Sequence, residues 1–338
     1  RQGFVPLAET RAAPAQDACD AAFAPLYVAA VWERYAPPLR EAPLPAGASD
    51  AQVDRAVLEH VSPPGSASDG QPPFRALLLH GAGKAFLALT LHHALYDAHP
   101  LKLLAGRLGA YVGGGGAAAP PPPLADALPA LMPLCAAEQR ATLDVWTAQL
   151  AQYPRAHRLE FPTLLTERAA PSAPRFARSV RAASTPWTAL EQAAAAYGAS
   201  IRPLAQLACA RVLAAYMDTE CVLLGDVVSQ RQGDARLEHV GGPLLATLPV
   251  PVDLRDRAPV AACVARLQAF HRAVLDHAAV PFPFVRQQIA CPRERPLFEC
   301  MFLLEVDDEP AAEPRALGAW RDVGVEVEHP LAIEVRLE

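Results

Sequence analysis

Two apolar runs on either side of a short turn constrain the fold of this chain more than any other feature. Residues 74–80 and 85–91 are rich in Leu, Ala and Phe, and the turn between them contains two glycines. Such runs predict a β-hairpin. Beyond the second run, large apolar residues recur at helical spacing between residues 101 and 111, with Asp97 as a possible N-cap. The segment therefore predicts two antiparallel strands, a loop and a helix.

The rest of the chain alternates between helical and strand patterns. A helical pattern at residues 203–216 leads into the apolar run 221–228, which predicts a strand. The patterns also predict helices at residues 53–61, 136–150 and 260–277, and strands at residues 26–32, 297–306 and 323–327. This alternation is typical of an α/β (α+β) fold that combines mixed sheets with helices.

Composition limits the class of protein. The 338 residues carry a net charge of -6, which provides no broad basic surface for nucleic acid. The seven cysteines are scattered without a C-x-x-C pair, so they predict neither a disulfide framework nor a zinc site and fit a reduced, cytoplasmic setting. No apolar run approaches the ~20 residues of a membrane span. We expect neither a nucleic-acid nor a membrane partner.

Length and low-complexity segments indicate two lobes. A chain of this length accommodates about two units of roughly 150 residues. A glycine run at 113–116 and a proline run at 120–123 separate two helical patterns. We place the boundary there, with an N-terminal lobe at residues 1–123 and a C-terminal lobe at residues 124–338. The sequence begins with Arg1 rather than Met, so we expect a piece of a longer polypeptide.

Paired histidines lie where the second strand of the hairpin ends. His92 and His93 are followed by Asp97. A neutral imidazole can take a proton from an amine or hydroxyl as that group attacks a thioester, and His93 is the candidate for this role. Asp97 is better suited to bracing the loop by hydrogen bonds or an ion pair. A metal site at these three residues is the alternative, but no further Cys, His or Glu cluster completes a ligand set.

No other catalytic motif competes with the histidines. The sequence contains no G-x-S-x-G elbow, phosphate-binding loop or dinucleotide fingerprint. The nucleophile would therefore come from the substrate. The chemistry that this combination favours is acyl transfer.

The histidine motif resembles a known signature. Residues 91–98 read L-H-H-A-L-Y-D-A, and the condensation domains of nonribosomal peptide synthetases, relatives of chloramphenicol acetyltransferase, carry H-H-x-x-x-D-G. Further segments resemble the same family in the same order: R-Q-G-F at 1–4, W-x-x-x-L at 146–150, V-S-Q-R at 228–231, a G-P segment and a T-L-P segment within 242–249, P-L-F-E at 296–299 and P-L-A-I-E-V at 330–335. The resemblance covers nearly the whole chain.

The resemblance implies a fold and an activity. The fold would be two chloramphenicol-acetyltransferase-like lobes in a V, with a central tunnel and an incomplete first lobe. His93 would lie in the tunnel, where an amine on an acceptor attacks the thioester of a donor. The domain itself would bind no cofactor, because phosphopantetheine arms of the upstream and downstream peptidyl carrier domains present both substrates. An adenylation domain would lie adjacent, and the H-A-L-Y-D wording resembles that of fungal siderophore synthetases.

The resemblance also marks residues around the catalytic histidine. His92, Asp97 and Ala98 belong to the motif itself, and Arg1 could brace Asp97. The second lobe contributes possible tunnel residues, which are Ser229, Arg231, Gly242, Pro243 and Thr247. Ordinary strand and loop packing is the alternative for these second-lobe residues. It is also our interpretation of four further histidines, which are His80, His99, His157 and His271.

Two departures from the family pattern, Ala98 and the incomplete first lobe, keep other functions open. Ala98 stands where the family has glycine, and if the backbone there requires a positive φ the added Cβ would cost roughly 1–2 kcal/mol. Two alternatives stay open. One is a free-standing acyl-CoA-dependent acyltransferase of the same superfamily that uses the same His93. The other is a degenerate scaffold that binds carrier domains without catalysis, which Ala98 and the incomplete first lobe suggest. The sequence does not distinguish amide from ester formation, epimerisation or cyclisation, nor does it identify the donor and acceptor.

Overall fold

The computed structural model of the protein describes most of the chain. Its described residues are 4–6, 27–29, 39–60, 74–81, 84–91, 95–116, 119–131, 135–151, 153, 179–182, 184–231, 234–292, 297–298, 300–306 and 331–337. The strands are Phe4–Pro6 (β1), Tyr27–Ala29 (β2), Leu39–Pro43 (β3), Phe74–Gly81 (β4), Lys84–Leu91 (β5), Cys221–Ser229 (β6), Leu245–Asp253 (β7), Cys300–Val306 (β8) and Leu331–Leu337 (β9).

Helices cover much of the remaining described chain. They are Asp50–His60 (α1), Ala98–Val112 (α2), Leu124–Leu131 (α3), Ala136–Leu150 (α4), Trp187–Ala196 (α5), Ile201–Met217 (α6), Val260–Val274 (α7) and Phe282–Gln288 (α8), with a 3₁₀ turn at Leu275–His277. The predicted helices at 136–150, 203–216 and 260–277 are thus confirmed as α4, α6, and α7 with its 3₁₀ extension. The strand predicted at residues 323–327 lies outside the described residues.

The strands form three sheets, and the two larger ones are mixed. β1 and β2 pair antiparallel. In the order β3-β4-β5, the first pair is parallel and the second antiparallel. In the order β7-β6-β8-β9, only β6 and β7 run antiparallel. The prediction of mixed sheets with helices is confirmed.

The predicted hairpin and the helix after it are present. β4 and β5 pair from Phe74 opposite Leu91 to Gly81 opposite Lys84. α2 begins after Asp97, whose carboxylate accepts a hydrogen bond from a backbone N–H in the first turn, and it ends at Gly113. Local periodicity and capping residues therefore sufficed to place these elements.

β7 is a strand that the sequence did not predict, because it contains Pro249 and Pro251. Proline cannot donate a ladder hydrogen bond, so its presence argues against an interior strand. Among the described strands, β7 is an edge of its sheet and pairs only with β6. The two prolines are two residues apart, so their nitrogens lie on the same side of the strand, and an edge has one side without a partner. The edge position resolves the conflict.

The largest hydrophobic core lies between this sheet and helices α4, α6 and α7. Buried residues of the three helices pack with those of β6, β7 and β8. Trp146 of α4 is fully buried, and its ring meets that of Phe270 of α7 edge to face, with 5.9 Å between the ring centroids. The helix predicted at 260–277 faces this core, where Phe270 and Val274 are buried.

We expect Trp146→Phe to lower the free energy of unfolding by about 2 kcal/mol. The indole Nε1 donates a hydrogen bond of 2.8 Å to the carbonyl oxygen of His277, and Phe would leave that acceptor unpaired and a small cavity beside it. Urea unfolding measures the change. Trp187→Phe, at a half-buried position on α5, is the matched control and should have a smaller effect.

A buried polar cluster crosses the same core. Asp226 on β6 is completely buried and accepts a hydrogen bond of 2.6 Å from Arg202 Nη1 on α6. His271 on α7 donates from Nε2 to Gln206 Oε1 at 2.7 Å and lies 4.0 Å from the second carboxylate oxygen of Asp226. Burial raises the pKa of Asp226 to about 6, although Arg202 opposes the shift. Burial and the Arg202 charge lower the pKa of His271 to about 4.

The two pKa shifts make stability change with pH in opposite directions. The raised pKa of Asp226 means that the native state binds more protons than the unfolded chain between pH ~4 and ~6, so stability falls as pH rises. The lowered pKa of His271 means that the unfolded chain binds more protons between pH ~4 and ~6.5, so stability rises with pH. The two dependences largely cancel in the wild type.

Asp226→Asn should therefore reveal the pH dependence of stability that His271 causes. We expect the free energy of unfolding of this variant to fall by up to roughly 3 kcal/mol between pH 6.5 and pH 4, while the wild type changes less. Denaturant unfolding across this pH range measures both. Adding His271→Gln to the variant should flatten the curve again, and equal slopes for wild type and Asp226→Asn would contradict the assignment.

The described part of the chain lacks a membrane-spanning helix and a metal-binding cluster. No helix there is both long and apolar enough to cross a membrane. The ranges given above also hold no group of three or more His, Cys, Asp or Glu side chains that could bind a metal ion.

Candidate functional site

Asp97, the aspartate of the histidine motif, is held at the start of α2. It is the N-cap of α2, in an extended backbone conformation, and its Oδ1 accepts a hydrogen bond of 2.9 Å from the backbone N–H of His99. An N-cap carboxylate satisfies a helix N–H that has no partner within the helix. Before the motif histidines, β5 ends at Leu91, and after them Asp97 caps α2.

The second carboxylate oxygen of Asp97 reaches a distant part of the chain. Oδ2 accepts a hydrogen bond of 2.7 Å from the backbone N–H of Leu244 and lies 3.6 Å from Nη2 of Arg231. The Asp97 and Arg231 side chains are only 2% and 8% exposed, so water screens their attraction weakly. The contact joins the start of α2 to the segment between β6 and β7.

Arg231 organises that segment around its guanidinium. Nη1 donates to the carbonyl oxygens of Leu237 at 2.7 Å and Val240 at 3.1 Å, and Nη2 donates to that of Gly242. Burial lowers the pKa of Arg231, and the nearby Asp97 carboxylate opposes this shift. Because arginine stays protonated in proteins, the site holds a buried cation beside a buried anion. Arg231 thus connects three backbone carbonyl groups of this segment to Asp97 at the start of α2. We call this arrangement of Arg231, Asp97 and the three carbonyl groups the Arg231 brace.

The other second-lobe residues predicted from the resemblance lie around or near this brace. Ser229 ends β6, and its Oγ accepts a hydrogen bond of 3.3 Å from the backbone N–H of Arg231. Gly242 is buried, and a Cβ at that position would meet the Leu124 side chain at 3.1 Å. Pro243 is half-buried beside it, and Thr247 lies on β7 opposite Val227. Ser229, Arg231 and Gly242 therefore come together, whereas Thr247 is part of the strand pair.

Sequence reasoning missed several contacts that complete the brace. The His99 Nε2 lies 2.5 Å from the carbonyl oxygen of Glu238, a contact that ordinary packing, our interpretation of His99 from the sequence, does not include. The backbone N–H of Gly241 donates to the carbonyl oxygen of Pro122 at 3.1 Å. A small apolar cluster lies beneath, formed by Ala127, Leu237, Val240 and Leu244 with Leu124 and Leu131 of α3. No local sequence pattern marks these long-range partners.

Three predicted site residues, Arg1, His92 and His93, lie outside the described residues. Their roles stay predictions. The described geometry concerns the frame on either side of the histidines, which consists of β5, the Asp97 cap and the Arg231 brace.

Comparison with known families agrees with the motif. A family model for the condensation domain matches residues 47–321, which is most of the chain. The chain belongs to the condensation domain family. The family predicted from the histidine motif and its companion segments is thereby confirmed.

Curated relatives of this condensation domain are large synthetases. The ferrichrome siderophore peptide synthetase of Mycosarcoma maydis is 29% identical over 327 residues, which are 93% of this chain and 8% of that protein. The nonribosomal peptide synthetase sidC of Aspergillus fumigatus is 26% identical over 277 residues, which are 78% of this chain and 6% of that protein. The chain thus spans less than a tenth of the length of either relative.

Solved structures confirm the fold. The X-domain from teicoplanin biosynthesis superimposes with a TM-score of 0.69 at 22% identity and covers 99% of this chain and 74% of that chain. The first condensation domain of the calcium-dependent antibiotic synthetase, solved with a substrate analogue, superimposes with a TM-score of 0.57 at 19% identity, covering 90% of this chain and 68% of that chain. These structures share the predicted fold with the condensation domain described here.

The structure corrects the expected cost of Ala98. This residue is exposed and is the first residue of α2, and it is not among the non-glycine residues with positive φ. The strain that would follow from a left-handed backbone does not arise, because the first turn of a helix has ordinary right-handed geometry. An alanine is therefore compatible with the motif at this position.

We expect Ala98→Gly to bring no gain in activity. Glycine loses more backbone entropy on folding, so the free energy of unfolding should fall by up to about 1 kcal/mol. Thermal unfolding and the transfer assay described below measure the two effects. A tenfold or greater gain in transfer by this variant would show that Ala98 impairs catalysis after all.

Proposed function

We propose that this condensation domain joins two carrier-bound substrates by acyl transfer. The acyl or peptidyl thioester of a donor carrier domain is attacked by the aminoacyl group of an acceptor carrier domain, and an amide or ester bond forms as the donor thiol leaves. His93 takes or orients the proton of the attacking group. His92, next to it in the motif, supports the same loop.

The observation that carries this proposal is the double anchoring of Asp97, the aspartate of the histidine motif. Asp97 caps α2 with one oxygen and binds Leu244 and Arg231 with the other. A base that acts on a bound nucleophile must be held to within a fraction of an ångström, which requires a rigid supporting frame. A buried ion pair and two backbone hydrogen bonds hold Asp97, four residues after His93, in this way.

The partners follow from the relatives. Because these are multidomain synthetases, we propose upstream and downstream peptidyl carrier domains and an adjacent adenylation domain as neighbours of this domain. The substrates would arrive on phosphopantetheine arms, and the domain would need no resident cofactor. The relative named as a ferrichrome synthetase supports a siderophore-type product.

We further propose that the boundary between the two lobes lies between residues 123 and 124. α3 begins at Leu124 and packs against the segment that Arg231 organises, which supports its assignment to the C-terminal lobe. Asp97 and Arg231 would then form a contact between the lobes.

The test compares two donors. Purified domain is mixed with a loaded acceptor carrier and with the same acyl group attached either to a donor carrier or to coenzyme A. Faster transfer from the carrier supports the proposal. Equal or faster transfer from coenzyme A to a soluble acceptor would favour the free-standing acyltransferase. Binding of both carriers without product would favour the scaffold.

A further inference from the structure

A run of prolines contacts the segment between β6 and β7. Pro123 and Gly241 form a parallel β-bridge outside the three sheets, and the backbone N–H of Gly241 donates a hydrogen bond of 3.1 Å to the carbonyl oxygen of Pro122. We call residues 119–123 the proline strap. The sequence marked these residues as a boundary, but no local pattern placed them against Gly241.

The proline strap is also held at its start by α2. The end of that helix is closed by the backbone N–H of Gly115, which donates to the carbonyl oxygen of Ala110 at 2.9 Å. Arg107, on the same helix, donates from Nη2 to the carbonyl oxygen of Ala119, the first residue of the strap. Proline fixes φ, and proline-rich segments are stiff. The strap therefore forms a stiff connection from α2 to Gly241.

The proline strap lies too close to Gly241 for a side chain to fit there. A Cβ at Gly241 would lie 2.6 Å from Cγ of Pro121 and 3.2 Å from its Cβ. Carbon atoms in contact are normally about 3.5–4.0 Å apart, and a pyrrolidine ring cannot rotate away as a flexible side chain would. Gly241 is not among the glycines with positive φ. The strap, and not the backbone conformation, is therefore what excludes a side chain at this position.

Arg231 and the proline strap hold the same three residues. Val240 and Gly242 accept hydrogen bonds from the guanidinium of Arg231 through their carbonyl oxygens. Gly241, between them, donates its backbone N–H to the strap at Pro122. Because the three residues are consecutive, a displacement of Gly241 away from the strap also moves the two carbonyl groups that bind Arg231. The position of the strap against Gly241 thus sets the geometry of the Arg231 brace.

We propose that Gly241 is a positioning residue for the reaction at His93, because its close contact with the proline strap fixes the Arg231 brace. This inference rests on the proposed function. Leu244, three residues after Gly241, donates its backbone N–H to Asp97 at 2.7 Å. Asp97 in turn follows His93 by four residues. The family resemblance marked the residues that follow Gly241, but not Gly241 itself.

Gly241→Ala should slow single-turnover transfer between loaded carriers by roughly 10- to 100-fold, the range for displacement of a reacting group by up to about 1 Å. The carrier concentration that gives half the maximal rate should stay the same, because the added methyl group acts on the motif and not on the carriers. Gly116→Ala is the matched control and should transfer at the wild-type rate, because a Cβ there meets no atom within 4 Å. A wild-type rate for Gly241→Ala, or a loss explained wholly by weaker carrier binding, would overturn the proposal.

Removing the proline ring should relieve the effect. Pro121→Ala deletes the Cγ that lies 2.6 Å from the added Cβ and leaves the Cβ at 3.2 Å, which a small shift accommodates. Gly241→Ala made in the Pro121→Ala background should therefore slow transfer by no more than about threefold relative to Pro121→Ala alone, because residues in contact are energetically coupled. The same slowing in both backgrounds would contradict the role of the strap.

Hydrogen exchange follows the same connection without a transfer assay. In Gly241→Ala, the backbone N–H groups of His99 and Leu244, which both donate to Asp97, should exchange at least about tenfold faster than in the wild type. The N–H of Leu224, in the buried strand β6, should change much less. An equal increase at all three amides would show that Gly241 only supports overall stability and would overturn its positioning role.

The two measurements separate this inference from the proposed function. If the wild type transfers but Gly241→Ala shows neither slower transfer nor faster exchange at His99 and Leu244, the inference is wrong and the proposed function stands. If the wild type transfers nothing, the proposed function is wrong, whereas faster exchange at His99 and Leu244 in Gly241→Ala would still support the connection from the strap to Asp97.

Discussion

Replacing His93 with alanine should lower the single-turnover rate of transfer by ~10²–10⁴-fold, the range expected for loss of a general acid-base group. The proposal assigns His93 the proton of the attacking amine or hydroxyl, and alanine can neither accept nor orient it. The rate is followed as acyl transfer from a loaded donor carrier to a loaded acceptor carrier. Thermal unfolding of the variant, carried out in parallel, separates loss of chemistry from loss of fold.

A matched histidine serves as the control for this variant. His80 lies on β4, where its side chain is about half exposed, 3.8 Å from Glu41. His80→Ala should transfer at the wild-type rate. If His93→Ala also transfers at the wild-type rate, the proposed role of His93 is wrong. The assignment of the chain to the condensation domain family would still stand.

Removing one partner of the Asp97–Arg231 pair should cost about 3–5 kcal/mol of unfolding free energy, because it leaves the other charge buried without compensation. Asp97→Ala also removes the acceptor for the N–H groups of His99 and Leu244. We expect transfer activity to fall as well, because Asp97 belongs to the same motif as His93, four residues along the chain. Urea unfolding of the wild type, the two single variants and the double variant measures the coupling.

The double-variant cycle separates the pair from its surroundings. Asp97→Ala combined with Arg231→Leu should cost less than the sum of the single changes by about 1–3 kcal/mol, because neither charge remains unpaired. Asp234 and Arg236 form an exposed ion pair in the same segment, and Asp234→Ala should leave unfolding nearly unchanged. Strict additivity at Asp97 and Arg231 would show that they do not interact energetically.

Local sequence patterns predicted several of the main elements of the fold. They are the β4–β5 hairpin, α2 with its Asp97 cap, and helices α4 and α6. β7 was missed because Pro249 and Pro251 oppose a strand assignment, and only the sheet order reveals that the strand lies at an edge. α3 was missed because it is short, follows a proline run and contains Pro129.

The candidate site was predictable in its members but not in its connections. The resemblance marked both Asp97 and Arg231, yet it suggested Arg1 as the brace of the carboxylate. The structure places Arg231 against Asp97, while the contribution of Arg1 stays a prediction. The pairing of Asp97 with Arg231 depends on how the segment between β6 and β7 folds back towards α2. Local sequence periodicity carries no information about such a long-range contact. The backbone conformation of Ala98 was likewise not predictable from the sequence, because it depends on where α2 begins.

The most direct test of the proposed function is the mass of the acceptor carrier after a single turnover with the wild-type domain. Both carriers are loaded, the domain is added in excess, and intact-protein mass spectrometry follows each carrier. If the domain catalyses condensation, the acceptor gains the mass of the donor acyl group as the donor loses it, and His93→Ala slows this exchange. Carriers that bind the domain yet keep their original masses would contradict the account and identify the domain as a scaffold.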